Sequence, residues 1–188
     1  MNNWLWKLRE AVERLKSRYD YIGRKTGAPF LAVVYPLEAE VAVLKEWHTL
    51  IDTLPADYTI KQFDLLATIT SMMEEFGVED IVEMLADPMP GSDPNVELGT
   101  MWVTGLVQAI GEQLISTPNS KLVISLERLA ALHPVTTPHA LMQALWDNEQ
   151  SMALDHPVII LIPGRIDEAR VYSFLNQHQE VMYRGDIL

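Results

Sequence analysis

The amino-acid sequence predicts an α/β protein, a three-layer α/β/α sandwich around a mainly parallel sheet of about five strands. Three observations carry this expectation. Continuous hydrophobic runs of strand length recur at residues 29–35, 121–126 and 157–162, and such runs suit parallel strands buried on both faces. Stretches with apolar residues three and four apart separate them, which is the helical period. Strands alternating with helices require crossover connections, and these generate parallel sheets. No shift in composition marks a boundary, so residues 1–188 read as a single domain.

The elements follow in order. An amphipathic helix is expected over residues 3–22, with Leu5, Leu8, Val12 and Leu15 on one stripe and Trp4 beside it. Gly23 and Gly27 bracket a basic turn before the first strand, 29–35. Pro36 suits the first turn of a helix over 37–54. A second strand, 58–66, is followed by helical stretches at 70–76 and 78–85, broken at Gly77. The loop 87–94 is rich in Pro, Gly and Asp, and its Ser92 or Asp93 can cap a long helix over 95–116. That helix is apolar almost all round, which predicts burial between layers or cover by a partner. Pro118 to Ser120 ends it. A third strand at 121–126, a helix at 138–147 and the fourth and most hydrophobic strand at 157–162 come next. A turn at Pro163-Gly164, a short helix over 167–175 and a last strand over 181–188 complete the series.

Composition narrows the functional classes. With no cysteine, the chain has no thiolate nucleophile, disulfide or cysteine-ligated zinc. The formal net charge of −12 opposes a phosphate backbone at long range. One basic cluster, Lys7, Arg9, Arg14, Lys16, Arg18, Arg24 and Lys25, runs against that balance. Direct nucleic-acid binding is therefore not expected. Lys7, Arg9 and Glu10 interrupt any signal-peptide core at the N-terminus. No apolar run reaches the ~20 residues that span a bilayer. A cytoplasmic protein without a membrane anchor is the expectation.

In a doubly wound sheet, ligands gather at the carboxyl ends of the strands. Here those ends are Tyr35 to Glu38, the Asp64 region, Glu127-Arg128 and Gly164-Arg165. None carries a phosphate-binding glycine loop, and Gly23-Arg-Lys-Thr26 holds only the Lys-Thr pair, ahead of the first strand. Glu127 resembles the acid that follows a Walker B strand, and its plainer role is a strand-end carboxylate paired with Arg128 or solvent. Taken together, the pattern resembles a degenerate P-loop or Rossmann-like domain. No metal-ligand spacing links His48, His133, His139, His156 and His178, although His133 and His139 flank a Pro-rich turn and could meet in space. No serine occupies a nucleophile elbow. Neither a cofactor nor a metal nor a catalytic residue is expected.

Two features point toward partners. Glu74, Glu75, Glu79, Asp80, Glu83, Asp87 and Asp93 form an acidic stretch that is either a solvated face or a seat for a basic partner. Trp4 and Trp6 point to different helix faces, so an exposed tryptophan is a candidate interface anchor.

Four stretches resemble the BrxB family, a component of BREX bacteriophage-exclusion systems. The tail carries most of the resemblance: Pro157 to Gly164, then Asp167, Phe174 and Met182-Tyr183-Arg184. Leu122 to Pro134 followed by Pro138-His139-Ala140-Leu141 and Leu145 is the second stretch. Tyr35-Pro36 and the capped long helix are the others. The chain departs from the family at Ile162, where an aromatic is common, and at Gly185, where alanine is usual. The resemblance implies an accessory protein of antiviral defence, a contributor to phage resistance without established catalysis. The partner it implies is a PglZ-like protein of the alkaline-phosphatase superfamily.

Two expectations compete. The first is a non-catalytic adaptor working through protein–protein interaction. The second is a nucleotide or small-ligand sensor, or an enzyme, in which Glu38, Glu127, Arg165 and Arg184 converge on a strand-end cleft. Across both, the candidate partner or ligand contacts are Trp4, Trp6, Tyr35, Glu38, Glu127, Gly164, Arg165, Tyr183 and Arg184.

Overall fold

A computed structural model describes residues 3–115, 121–148 and 155–188. Helix α1 (Leu5–Arg18) leads through two 3-10 turns, Tyr19–Tyr21 and Arg24–Thr26, into β1 (Phe30–Tyr35). Helix α2 (Glu40–Ile51), β2 (Tyr58–Asp64), α3 (Leu65–Phe76), α4 (Val78–Ala86) and α5 (Pro94–Ile115) follow. The chain then forms β3 (Lys121–Glu127), α6 (Pro138–Asp147), β4 (Val158–Glu168), β5 (Val171–Phe174), β6 (His178–Val181) and β7 (Asp186–Ile187). Among the described residues, no helix is long and apolar enough to cross a membrane.

Five strands run parallel in the order β2-β3-β4-β1-β7. Helices cover both faces, so the three-layer α/β/α sandwich is the observed architecture. Alternate residues of each strand point to opposite layers. In β1, Leu31, Val33 and Tyr35 meet α1 and α2, whereas Phe30, Ala32 and Val34 meet the layer of α3, α5 and α6. In β4, Ile159 and Leu161 face the first layer, and Val158, Ile160 and Ile162 face the second. This two-sided burial is why these strands read as unbroken hydrophobic runs.

The sheet holds seven strands rather than about five, because β5 and β6 extend it antiparallel from β4. The fourth strand is correspondingly longer than residues 157–162. Its first half pairs with β1 and β3, and from Gly164 onward it pairs with β5. A Cβ on Gly164 would lie 2.1 Å from the Ser173 carbonyl oxygen, so only glycine admits this close crossing.

The short helix expected over 167–175 is absent; that stretch forms the β4–β5 hairpin and all of β5. Val171, Tyr172 and Phe174 are strand formers, and Tyr172 and Phe174 are fully buried against the α6 side of the sheet. Local helix propensity loses to that burial. The last strand over 181–188 shrinks to Asp186–Ile187, because Gly185, at φ 92°, bends the chain against the Phe30 backbone. The first helix stops at Arg18, and its final turn is 3-10.

The second strand ends at Asp64 rather than at residue 66, and the helix expected over 70–76 already begins at Leu65, capped by the Asp64 carboxylate. Other elements match closely. Gly77 separates α3 from α4. Asp93 Oδ1 accepts from the Asn95 and Val96 amides at the start of α5, and Thr137 caps α6. Helix α5 is less uniformly apolar in space than in sequence. Leu98, Trp102, Leu106, Ile110 and Leu114 form one buried stripe at four-residue spacing, while Val96 is exposed. The expected end of this helix at Ser116 and its stop at Pro118–Ser120 lie outside the described residues.

Ile160 lies in the middle of β4 and is 1% exposed. Ile160→Ala is expected to destabilise the protein by about 2–5 kcal/mol, by lost transfer energy plus a cavity. The measurement is urea unfolding, with a lowered midpoint and an unchanged m-value.

Candidate functional site

Strand register brings the carboxyl ends of β1 to β4 into one edge: Tyr35 lies opposite Pro163, and Asp64 opposite Glu127. Glu127 is 5% exposed there. Its Oε1 accepts from Ser125 Oγ at 2.9 Å, and Ser125 Oγ in turn accepts from Trp47 Nε1 at 2.9 Å. Its Oε2 lies 2.8 Å from His48 Nε2, which donates to the carboxylate. Consecutive residues of α2 thus clamp this acid, with Trp47 reaching under the sheet edge and half-exposed His48 closing it from outside. A buried carboxylate requires such partners, since leaving it bare carries a large desolvation cost.

Around it, Tyr35 Oη donates to Glu40 Oε1 at 3.2 Å. Burial, followed by the nearby Glu40 carboxylate, pushes the Tyr35 phenol far above its usual range. Arg128, at φ 57°, turns back so that its Nε donates to Asp64 Oδ2 at 3.1 Å. Asp64 Oδ1 simultaneously caps α3 through the Ala67 amide. Lys7 Nζ donates to the Val34 carbonyl near the end of β1, and burial lowers its pKa. The edge is therefore rich in carboxylates, and its arginine is already paired. No group of three His, Cys, Asp or Glu that could hold a metal exists among the described residues.

The candidate residues separate into several places. Glu127 pairs with His48 and Ser125 instead of Arg128, because the left-handed turn at Arg128 carries that guanidinium away to Asp64. Glu38 is exposed in a 3-10 turn ahead of α2. Gly164 is a packing position at the β4–β5 crossing. Arg165 is exposed in that hairpin and donates to Asp167 Oδ1 at 2.7 Å. The hydrogen bond from Ser173 and then that from Arg165 hold the Asp167 carboxyl below its usual pKa.

Tyr183 and Arg184 sit at the opposite edge of the sheet. Since β7 runs parallel to β1, residues preceding Asp186 lie beside the amino end of β1. There Arg184 covers the Trp146 ring, 4.4 Å from its centroid, and Tyr183 packs edge-on against His139. The expected convergence of Glu38, Glu127, Arg165 and Arg184 therefore does not occur. His133 meets His178, at 5.4 Å between ring centroids, in place of His139. Trp4 is buried with α2, while Trp6 is half-exposed and donates to Asn3 Oδ1.

A different surface emerges on the other helical layer. Seven of the twelve exposed large apolar side chains among the described residues fall within 66–96: Leu66, Phe76, Val78, Val82, Leu85, Met89 and Val96. Helix α4 buries only Ile81 fully, yet Val78, Val82 and Leu85 recur at i, i+4 and i+7. They form one stripe facing outward. Beside it, Met72, Phe76, Met101 and Trp102 line a groove of about 390 Å³ between α3 and α5. Glu75 lines the same groove, and the segment that carries this apolar ground is acidic. Between Gln62 and Ser120 the chain has ten Asp and Glu and no Lys, Arg or His. The acids were legible in the sequence; the outward apolar stripe was not, because its spacing matches a core-facing helix.

No family model matches the chain, and no curated protein matches it.

Glu127→Ala is expected to cost about 1–3 kcal/mol, since the buried Ser125 hydroxyl loses its acceptor. Glu38→Ala, an exposed change, should stay within about 0.5 kcal/mol of the parent. Paired urea titrations check both.

Proposed function

We propose that the chain is a non-catalytic adaptor of a BREX-type antiphage system, holding a larger PglZ-like protein on the face formed by α3, α4 and α5. One observation supports this reading above the rest. Seven exposed large apolar side chains lie on a segment that carries ten carboxylates and no base. Contiguous apolar surface ringed by charge is characteristic of protein interaction sites. Aromatic and thioether groups such as Phe76 and Met89, 58% and 73% exposed, supply contact area and adaptable packing. The acidic rim steers and orients a partner whose own surface is basic around an apolar centre. That chemistry describes an amphipathic helix bearing Lys and Arg beside its apolar stripe. A cytoplasmic setting belongs to this proposal.

The competing reading places a ligand or a reaction at the carboxyl edge of the sheet. Glu127, Glu40, Glu38 and Asp64 crowd that edge, and Arg128 is committed to Asp64. A polyphosphate needs donors and positive charge at such a place. The adaptor reading requires neither.

Co-expression with a PglZ-like partner, followed by size-exclusion chromatography, should give one co-eluting peak. Val82→Glu and Phe76→Ser are expected to weaken the complex by roughly 30-fold each, the scale of an interface hot spot of about 2 kcal/mol. Both sites are exposed, so the free protein should keep its stability. Association should also slow as salt rises. Separate elution at about micromolar concentration, or unimpaired binding by both variants, would contradict the proposal.

A further inference from the structure

A second cavity lies on the other layer, where α1 meets the two 3-10 turns that precede β1. It measures about 680 Å³, within the ~300–1,000 Å³ range of small-molecule sites. Seven of the fourteen Lys and Arg residues of the chain fall between Lys7 and Lys25, and three of them, Arg14, Arg18 and Lys25, line this cavity. Arg14 and Arg18 stand one helical turn apart on the same face of α1. Lys25 reaches in from the facing turn, which αL glycines 23 and 27 bracket.

The charge inside is not cancelled. Arg14 Nε donates to Glu10 Oε1 at 2.8 Å, and its Nη1 lies 3.8 Å from Asp186 Oδ2. Asp186 also accepts from the Gly23 amide at 3.4 Å. Arg18 and Lys25 enter no ion pair with a described residue. Glu10 and Asp186 thus balance Arg14, while Arg18 and Lys25 stand as two cations without an ion pair among the described residues, in a chain whose net charge is −12. Tyr21 projects its ring at the same rim and is 73% exposed. Guanidinium groups suit phosphate oxygens, which they grip in a bidentate fork. An exposed aromatic ring offers a stacking surface for a planar base.

We propose that this cavity binds a free nucleoside polyphosphate, with Arg14, Arg18 and Lys25 on the phosphates and Tyr21 against the base. The site lies at the amino end of β1, where its lining residue Asp186 pairs opposite Leu31, and so is unrelated to the strand-end crevice of doubly wound folds. Its size and surroundings favour a small anion. A long polyanion extends beyond one Debye length, about 8 Å at physiological salt, into the field of the acidic remainder. The inference is independent of the adaptor reading, since it concerns the opposite helical layer.

Isothermal titration of the full chain with ATP, inorganic pyrophosphate, adenosine and a short oligothymidylate tests it. ATP should bind saturably, pyrophosphate more weakly, and adenosine not measurably. Arg18→Glu and Lys25→Glu should each weaken ATP by roughly tenfold or more, with unchanged urea midpoints because both side chains are exposed. Tyr21→Ser should weaken ATP while leaving pyrophosphate unaffected. Absence of ATP binding at about millimolar concentration overturns the proposal. So does ATP affinity that survives both charge reversals, or tighter binding of the oligonucleotide than of ATP.

Discussion

The first half of β4, Val158 to Ile162, is fully buried on both of its faces, and the fold must supply a cover for each. Helices α1 and α2 close one side. Elements from four helices gather on the other, where α5 lays its buried stripe along the sheet and α3 and α6 flank it. Helix α4 touches the core of this layer chiefly through Ile81 and Met84, and its second apolar stripe meets no part of that core. Val78, Val82 and Leu85 are thus left as an exposed ridge.

Charge follows the same division. The layer that overfills with apolar residues holds ten acids and no base between Gln62 and Ser120. Half of the basic residues lie in the first turns of the chain, on the opposite layer. The sheet separates these regions with low-dielectric packing, so the chain carries two regions of opposite charge rather than one neutral surface.

The sequence made much of this scaffold readable, and its misses have physical causes. Runs buried on both faces announced β1, β3 and β4, and Asp93 and Gly77 marked helix limits. The hairpin of β4 and β5 was hidden because β4 changes partners halfway, which leaves no local signal in residues 163–168. Arg184 was misplaced because the sheet position of β7 depends on pairing with a strand some 150 residues earlier, set by Leu31 opposite Asp186. The Glu127 network escaped notice because His48 and Trp47 come from a separate helix. For the proposed docking face, the acids were visible, but a stripe at helical spacing reads alike whether it faces core or water.

The central claim is that the surplus apolar face of α3, α4 and α5 is completed by another protein. Hydrogen–deuterium exchange, comparing the free chain with its complex with a PglZ-like partner, tests it at the level of segments. The account predicts slowed exchange concentrated in peptides covering residues 66–96, with α1 and α2 unchanged. Protection confined to α1 and α2, or equal exchange everywhere in the two states, would contradict it.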